Sequence, residues 1–254
     1  MKAGTSKKAA RDPQVKLGRG RRPAARKLRD AKDALYREHI MDVAEQLFAD
    51  QGFAATRMQD IAAAAGISLG TLYQSHPGKQ ELHRALLIER DQLMLDRVLA
   101  QQQKSMLVPQ SVEQVLWFME VHLHFLLDHP NYLRMLLQEG YAWYTRAAQP
   151  TEAEQQMWER GMKLLETVFA WGMKQGFLSP GNVVHQSRSL MAMQQTRLAN
   201  WVMDGMTEEH AIVVARIQAD YVRLFCRPEV ATKMLTPDGA ALSAKTLEKI
   251  RSLD

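Results

Sequence analysis

The sequence predicts an all-α protein. Its 254 residues are rich in Ala, Leu, Gln and Met, contain 14 Gly and 9 Pro, and show no run of alternating β-branched residues. Apolar residues instead recur three and four positions apart, which is the period of one helical face. With 46% hydrophobic and 24% charged residues, the chain can bury a sizeable core and is long enough for two domains.

The first predicted helix begins near Asp33. Apolar residues within 40–48 share one helical face, and the helix is expected to end near Gln51, because Gly52 permits a left-handed stop. Residues 1–30, which precede this helix, contain almost nothing apolar and cannot offset the entropy cost of becoming ordered. We therefore expect residues 1–30 to form a flexible arm.

Two short helices are predicted next. Thr56, with Gln59 three residues later, has the pattern of a capping box that opens the second helix, and Gly66 ends that helix. Ser68 is the expected N-cap of a third helix over 69–74. A long first helix, a Gly-containing turn and two short helices are together typical of a helix-turn-helix, whose last helix enters the major groove of DNA.

Longer helices are predicted after Pro77-Gly78. The fourth runs from Lys79 to about Gln103, with Leu82, Leu86 and Leu93 facing inward. Pro and Gly residues that interrupt helices mark the limits of five more predicted helices, over 111–128, 131–146, 152–175, 182–204 and 208–226. The predicted domains are therefore a helix-turn-helix unit over 31–90 and a helical domain over 91–227. Residues 228–254 are expected to form a C-terminal tail with one short helix.

Charge separates the arm from the rest of the chain. Residues 1–30 contain 11 Lys and Arg against two Asp, a net charge of +9, so the other 224 residues sum to −4. A basic arm on a mildly acidic body indicates a polyanionic partner. The single cysteine, Cys226, excludes a secreted disulfide scaffold and favours a reducing compartment. The N-terminus lacks a signal peptide's apolar segment and no stretch could span a bilayer, so we expect a cytoplasmic protein without a membrane partner.

A family resemblance is carried by residues in and around the predicted helix-turn-helix. They are Ile40-Met41-Asp42-Val43-Ala44-Glu45-Gln46-Leu47-Phe48, Gly52-Phe53, Thr56, Ile61-Ala62, Ala65-Gly66-Ile67-Ser68, Gly70-Thr71-Leu72-Tyr73, Lys79 and Leu82. Over about residues 35–87 the chain resembles the N-terminal domain of TetR-family bacterial repressors. It departs from that family's pattern at Ser75-His76, where an aromatic pair is usual, and at Gln80, where Glu is common. His76 makes a pH effect on DNA binding conceivable.

The resemblance implies a set of DNA contacts. They are Thr56, Arg57, Ser68, Leu69, Gly70, Thr71, Tyr73, Gln74 and Lys79. Thr56, Arg57 and Lys79 resemble the family's phosphate clamps, whereas the residues of the third helix would read bases, with Leu72 pointing inward.

The basic arm supplies the charge that this unit lacks. Residues 31–90 carry six Lys and Arg against eight acids, a net charge of −2. Since phosphate neutralisation dominates the affinity of most DNA-binding proteins, the arm is the expected source of attraction. Arg19, Arg21 and Arg22 either enter the minor groove or attract phosphates without sequence preference.

Beyond residue 105 the helices are rich in Met and aromatic residues. This composition is typical either of an ordinary hydrophobic core or of a pocket for apolar ligands. The family resemblance favours a pocket for a small hydrophobic inducer. Its expected polar contacts are His122, Tyr144 and Gln195, with Trp117 as a wall.

The last long helix has a stripe of small and apolar residues at spacings of three and four. The stripe comprises Ile212, Ala215, Ala219, Val222 and Cys226. By the same resemblance it forms a homodimer interface, although packing within one chain would use the same stripe.

Three patterns that could indicate an enzyme or a metal site have other interpretations. Gly66-Ile67-Ser68-Leu69-Gly70 fits Gly-x-Ser-x-Gly, but it follows a helix rather than the strand that a nucleophile elbow requires. Glu120, His124 and Asp128 share a helical face, which favours a solvated ion-pair face over a metal site. Cys226 has no activating neighbour beyond Arg227. We therefore predict no catalytic residue, metal or cofactor.

The sequence as a whole predicts a ligand-responsive DNA-binding transcriptional regulator. Its expected partners are double-stranded DNA, a second copy of the chain and a small hydrophobic inducer, which would release a repressor from a palindromic operator. The alternative is a helical binding protein for hydrophobic small molecules or lipids, without a role in gene regulation.

Overall fold

The computed structural model describes residues 22–104, 109–138 and 152–253, and these ranges contain helices and no strand, which confirms the predicted all-α fold. The helices are α1 (Arg22–Ala55), α2 (Met58–Ala64), α3 (Leu69–Ser75), α4 (Lys79–Lys104), α5 (Val112–Asp128), α6 (Pro130–Gln138), α7 (Glu152–Lys174), α8 (Val183–Met203), α9 (His210–Phe225), α10 (Pro228–Met234) and α11 (Ala244–Arg251). None of these described helices is long and apolar enough to cross a membrane.

Helices α1 to α3 and the first turns of α4 form a head with its own core. Phe48, Ile61, Leu72 and Leu82 are fully buried in it, so the inward position predicted for Leu72 is confirmed. The inward position predicted for Leu93 is wrong, since this side chain lies beyond the head and is 44% exposed.

The first helix ends where the sequence indicates, but it begins earlier. Gly52 has φ 80° and ψ 160°, which interrupts the helical backbone of α1. Residues 22–30, expected to be part of a flexible arm, are helical in the structure. Ala, Leu, Lys and Arg in this segment are strong helix formers, and Pro23 suits a first turn, so propensity outweighs the lack of apolar residues. Residues 1–21 lie outside the described ranges.

Helices α5 to α11 build a larger body around a second core. Leu116, Leu123, Phe169 and Ile217 are among its buried residues. Residues 228–253 pack into this core rather than forming a tail, which corrects the predicted boundary at 227. Four of their apolar side chains are buried there: Met234, Leu235, Leu242 and Ile250.

Helix α6 joins the head to the body. Its Met135 is buried in the head core, while its Tyr132 and Leu133 are buried in the body core. The Gln138 amide donates to the carbonyl of Ala49 at 2.7 Å, at the end of α1. A second link comes from α4, where Arg90 forms an ion pair with the buried Glu45 of α1 at 2.7 Å. Through these contacts α6 and α4 fix how the head is held on the body.

Candidate nucleic-acid interface and ligand cavity

Helix α3 has the predicted Ser68 N-cap and is held in place by its buried face. The Ser68 hydroxyl accepts from the backbone N–H of Thr71 at 3.1 Å and lies 2.8 Å from the Thr71 hydroxyl. Leu72 anchors the helix in the head core. Because these local contacts set the axial position of α3, its outward residues form a defined surface.

The outward surface of α3 carries the residues that the sequence assigned to DNA contact. Ser68, Gly70, Thr71, Tyr73 and Gln74 are all exposed, and Leu69 is half-buried. The ring of Tyr73 is 46% exposed, so it is not a core aromatic. Hydroxyl, phenol and amide groups on one short helix can donate to and accept from base edges and phosphates. Their contact with DNA stays a prediction.

The Thr56 side chain is not exposed at the start of α2, where a phosphate contact was predicted. Its side chain is fully buried, and its hydroxyl donates to the carbonyls of Gly52 at 2.9 Å and Leu47 at 3.2 Å. The N-cap of α2 is Arg57, which makes no side-chain capping bond, so the predicted capping box is wrong. The Gly52 carbonyl also accepts from the backbone N–H of Thr56 at 3.3 Å, so the Thr56 hydroxyl adds a second bond at the break in α1. Thr56 therefore braces the head and does not present its hydroxyl to a phosphate, whereas Arg57 is exposed.

Lys79 also binds the end of α1. Its ammonium donates to the carbonyls of Phe53 at 2.7 Å, Ala54 at 3.3 Å and Thr56 at 2.9 Å, and lies 4.4 Å from the centre of the Phe53 ring. These bonds use its three N–H donors. In this structure Lys79 is thus a cation that closes the negative end of a helix, and its contact with a phosphate stays a prediction.

His76 fills the position where the family pattern has an aromatic residue. It is buried, caps the C-terminus of α3, and its Nδ1 lies 3.0 Å from the Ser75 hydroxyl. Burial lowers the pKa of His76, and the nearby Arg37 lowers it further. A neutral imidazole therefore seats the recognition helix.

Acidification should destabilise the head through His76. In the unfolded chain its pKa is near 6.5, so as pH falls through that value the unfolded state binds the proton first and the free energy of unfolding decreases. Thermal melts between pH 7.5 and 5.5 should show a smaller loss of stability in His76→Phe than in the wild type. The exposed His39→Phe is the control and should melt like the wild type; equal pH dependence in all three proteins would contradict the role of His76.

The body contains a cavity of about 1970 Å³ between α4, α5, α6, α7 and α8. Its walls are mostly apolar, and Met94, Met119, Leu133, Met162 and Met191 are among the lining residues. Flexible Met side chains let such a wall adapt to an apolar ligand. The cavity extends to Phe48 and Gly52 of the head, so a bound molecule can reach the junction between head and body.

Two of the four predicted ligand contacts line this cavity. His122 and Gln195 do so, and burial lowers the pKa of His122 to about 4, which keeps its ring neutral at physiological pH. Trp117 is buried but does not line the cavity, so the predicted wall is wrong; its neighbour Phe118, 5.1 Å away between ring centres, does line it. Tyr144 lies outside the described residues, as do Arg19 and Arg21. Arg22 opens α1, and only its backbone is described.

The fold buries part of the predicted dimer stripe within the chain and leaves the other part accessible. Ala219, Val222 and Cys226 are buried in the body core of their own chain, so their assignment to an interface is wrong. Ile212 is 47% exposed and Ala215 is half-buried. Burial raises the pKa of the Cys226 thiol to about 12, in keeping with a structural thiol.

Sequence reasoning missed the polar contacts between α6 and α1. Arg134 forms an ion pair with Asp50 at 2.8 Å, close to the bond from Gln138 to Ala49. In the sequence, these contacts are indicated only by two polar residues, Arg134 and Gln138, near the end of the amphipathic helix α6. Their positions do not predict that the partners lie on α1.

An exposed, capped short helix on a compact head, joined through α4 and α6 to a helical body with a large cavity, is the architecture of a helix-turn-helix domain followed by an all-α second domain. Residues 40–86 match the family model described as bacterial regulatory proteins, tetR family. Over 46 residues the chain is 44% identical to the HTH-type transcriptional regulator AcrR of Shigella flexneri, a match covering 18% of this chain and about a fifth (21%) of that relative's length. The predicted resemblance to the TetR family is confirmed over the head, residues 40–86.

Solved structures share this fold along most of the chain. The fatty acid degradation regulator FadR from Bacillus halodurans has a TM-score of 0.62 at 19% identity, covering 74% of this chain and 94% of that one. FadR from Bacillus subtilis, solved in complex with stearoyl-CoA, has a TM-score of 0.57 at 16% identity and covers 73% and 96%. At these identities the similarity extends the shared fold beyond the head into the body.

Proposed function

We propose that the protein is a homodimeric repressor that binds a palindromic operator through α3 and leaves it when a small hydrophobic molecule occupies the body cavity. The observation that carries this proposal is the outward surface of α3, where Thr71, Tyr73 and Gln74 are exposed on a helix that Ser68 caps and Leu72 anchors. The protein would act by binding, without catalysis.

Two copies are proposed because one seven-residue helix reads few base pairs, and two related half-sites multiply specificity. The side chain of Ile212 in α9 is exposed and is available to a second copy. Selection of bound sequences from random DNA should enrich a palindrome with half-sites about 10 base pairs apart, or a multiple of that spacing. Enrichment of a single unrepeated half-site would contradict the dimer. No enrichment would contradict sequence-specific binding and favour the alternative, a helical carrier of hydrophobic molecules.

The arm is proposed to supply electrostatic attraction. Residues 1–21 carry seven Lys and Arg against one Asp, whereas the head is slightly acidic. Replacing these seven residues by Gln should lower affinity for the selected DNA by about tenfold or more at low salt. It should also reduce the slope of log K against log salt by about 0.9 for each phosphate that the arm no longer neutralises. Binding measured from low to high salt tests this, with the selected sequence preference expected to stay the same; an unchanged slope would contradict the proposal.

The ligand is proposed to be largely apolar and long. The cavity walls are rich in Met and Leu, and His122 and Gln195 supply the polar groups expected of a site that orients one end of a ligand. A relative in fold, Bacillus subtilis FadR, was solved with stearoyl-CoA, which makes that compound a suitable probe for this chain.

Release of DNA is proposed to pass through α6. This helix lines the cavity with Leu133 and Leu136 and contacts the end of α1 through Arg134 and Gln138. A ligand that favours another position of α6 would displace the head.

The double variant Arg134→Ala/Gln138→Ala should bind stearoyl-CoA as the wild type does but respond less to it. In the wild type we expect the ligand to weaken DNA binding by about 5- to 150-fold, the usual range of allosteric coupling, and in the variant by a factor near 1. Fluorescence anisotropy of labelled DNA with and without the ligand measures both factors. Lys163→Ala, which removes an exposed ion pair within α7, is the control and should keep the wild-type factor. Full coupling in the double variant would show that α6 does not transmit the signal.

A further inference from the structure

Two histidines and a carboxylate converge on the surface of the body, away from the cavity. His124 and Asp128 lie one turn apart on the last part of α5, and His210 begins α9, which packs against α5. One ligand atom from each of these three side chains lies within 4.8 Å of the others. The Asp128 Oδ1 and the His210 Nδ1 are 3.4 Å apart.

We propose that His124, Asp128 and His210 form a binding site for a divalent transition-metal ion. In a tetrahedral site with bonds of about 2.0–2.1 Å, neighbouring ligand atoms are about 3.3 Å apart, which is the separation already present between Asp128 and His210. The His124 ring nitrogen lies within 4.8 Å of both other ligand atoms, so a rotation of its side chain would complete the third corner. The three side chains are 30–44% exposed, so they can rotate and an ion can enter from solvent.

The donor set selects the class of ion. Two imidazoles and one carboxylate suit Zn²⁺, Co²⁺ and Ni²⁺, whereas Mg²⁺ and Ca²⁺ prefer oxygen ligands alone. The Glu120 Oε1 lies 3.8 Å from the His124 Nε2, one turn earlier on α5, and can orient that ring from outside the converging group.

Neighbouring residues hold two of the ligands. The Arg97 guanidinium lies 3.6 Å from Asp128 Oδ2, which leaves Oδ1 directed toward His210. The His210 ring meets the buried Trp201 ring edge to face, with 5.5 Å between ring centres, and Trp201 donates to the carbonyl of Glu208 at 3.0 Å. Such outer contacts are typical of metal sites because they fix ligand orientation. A bound ion would tie the end of α5 to the start of α9.

The experiment uses the full chain stripped of metal. Zn²⁺ titration by calorimetry should give one site per chain, and Co²⁺ should produce the visible absorption of a nitrogen- and oxygen-ligated ion. Co²⁺ or Ni²⁺ should also quench Trp201 fluorescence, since the ion would lie beside His210. His124→Ala, His210→Ala and the isosteric Asp128→Asn should each weaken binding by about 100-fold or more, while far-ultraviolet circular dichroism stays unchanged.

Two further variants distinguish this site from others. His185→Ala removes an exposed histidine at the start of α8 and should bind Zn²⁺ like the wild type. Trp201→Phe should bind Zn²⁺ but lose most of the Co²⁺ quenching. The proposal is overturned if no ion binds, if His124→Ala and His210→Ala bind as tightly as the wild type, or if His185→Ala abolishes binding.

Discussion

A chain that ends at Arg227 should fail to form a stable protein. Residues 228–254 place Met234, Leu235, Leu242 and Ile250 in the body core, each no more than 8% exposed. Burying one such side chain contributes about 1.5–3 kcal/mol. Removing four of them would cost about as much as the whole net stability of a typical domain, about 5–15 kcal/mol.

The truncation would also break polar contacts. The Arg223 guanidinium donates to the carbonyl of Gly239 at 2.6 Å, and Lys249 pairs with Glu113 of α5 at 3.0 Å. Soluble yield and thermal melting followed by circular dichroism measure the result. A truncated chain with the melting temperature of the full chain would show that α10 and α11 are dispensable.

Single substitutions in α11 separate core packing from any general effect of truncation. Ile250→Ala should cost about 2–5 kcal/mol, because a buried side chain leaves a cavity. Lys245→Ala, at an exposed position of the same helix, should change stability by less than about 0.5 kcal/mol. Similar destabilisation in the two variants would mean that α11 does not contribute through its buried face.

The sequence predicts the parts of the fold that depend on neighbours in the chain. Ser68 caps α3 through a bond three residues away, and Leu72 follows the helical period into the head core. Helix α11 is the one short helix expected within 228–254, whereas α10 was not predicted; with seven and eight residues, neither helix would be stable alone. Their burial against the body stabilises them, and that packing is what the local sequence pattern does not contain.

Errors at the candidate sites have the same origin. Thr56 has the sequence pattern of a cap, yet its hydroxyl donates to the carbonyls of Gly52 and Leu47 in α1. Trp117 and Phe118 are neighbours on α5 and point about 100° apart around the helix axis. Helix boundaries predicted from sequence are uncertain by about 2 to 4 residues, so the helical period does not decide which of the two rings faces the cavity. For the proposed metal site, the pair of His124 and Asp128 is visible on α5, but the third ligand, His210, comes from another helix.

Replacing Tyr73 by Ala should abolish most specific DNA binding without unfolding the head. Its ring is 46% exposed on α3 and is not part of the head core, so its removal should change the melting temperature little. Removing a base or phosphate interaction in each half-site of a dimer costs about 1–3 kcal/mol per site, which together lowers affinity by about 30-fold to more than about 1000-fold. Gel shift or anisotropy with the selected palindrome measures this.

Lys79→Met should also weaken DNA binding, but for a different reason. The carbonyls of Phe53, Ala54 and Thr56 would lose the ammonium that satisfies them, at a cost of about 1–3 kcal/mol in head stability. The melting temperature should fall in Lys79→Met and stay constant in Tyr73→Ala. If Lys79→Met instead kept its melting temperature and bound DNA more weakly with a smaller salt slope, Lys79 would be a phosphate contact in the complex. The pair of variants therefore separates a residue that builds the head from one that reads DNA.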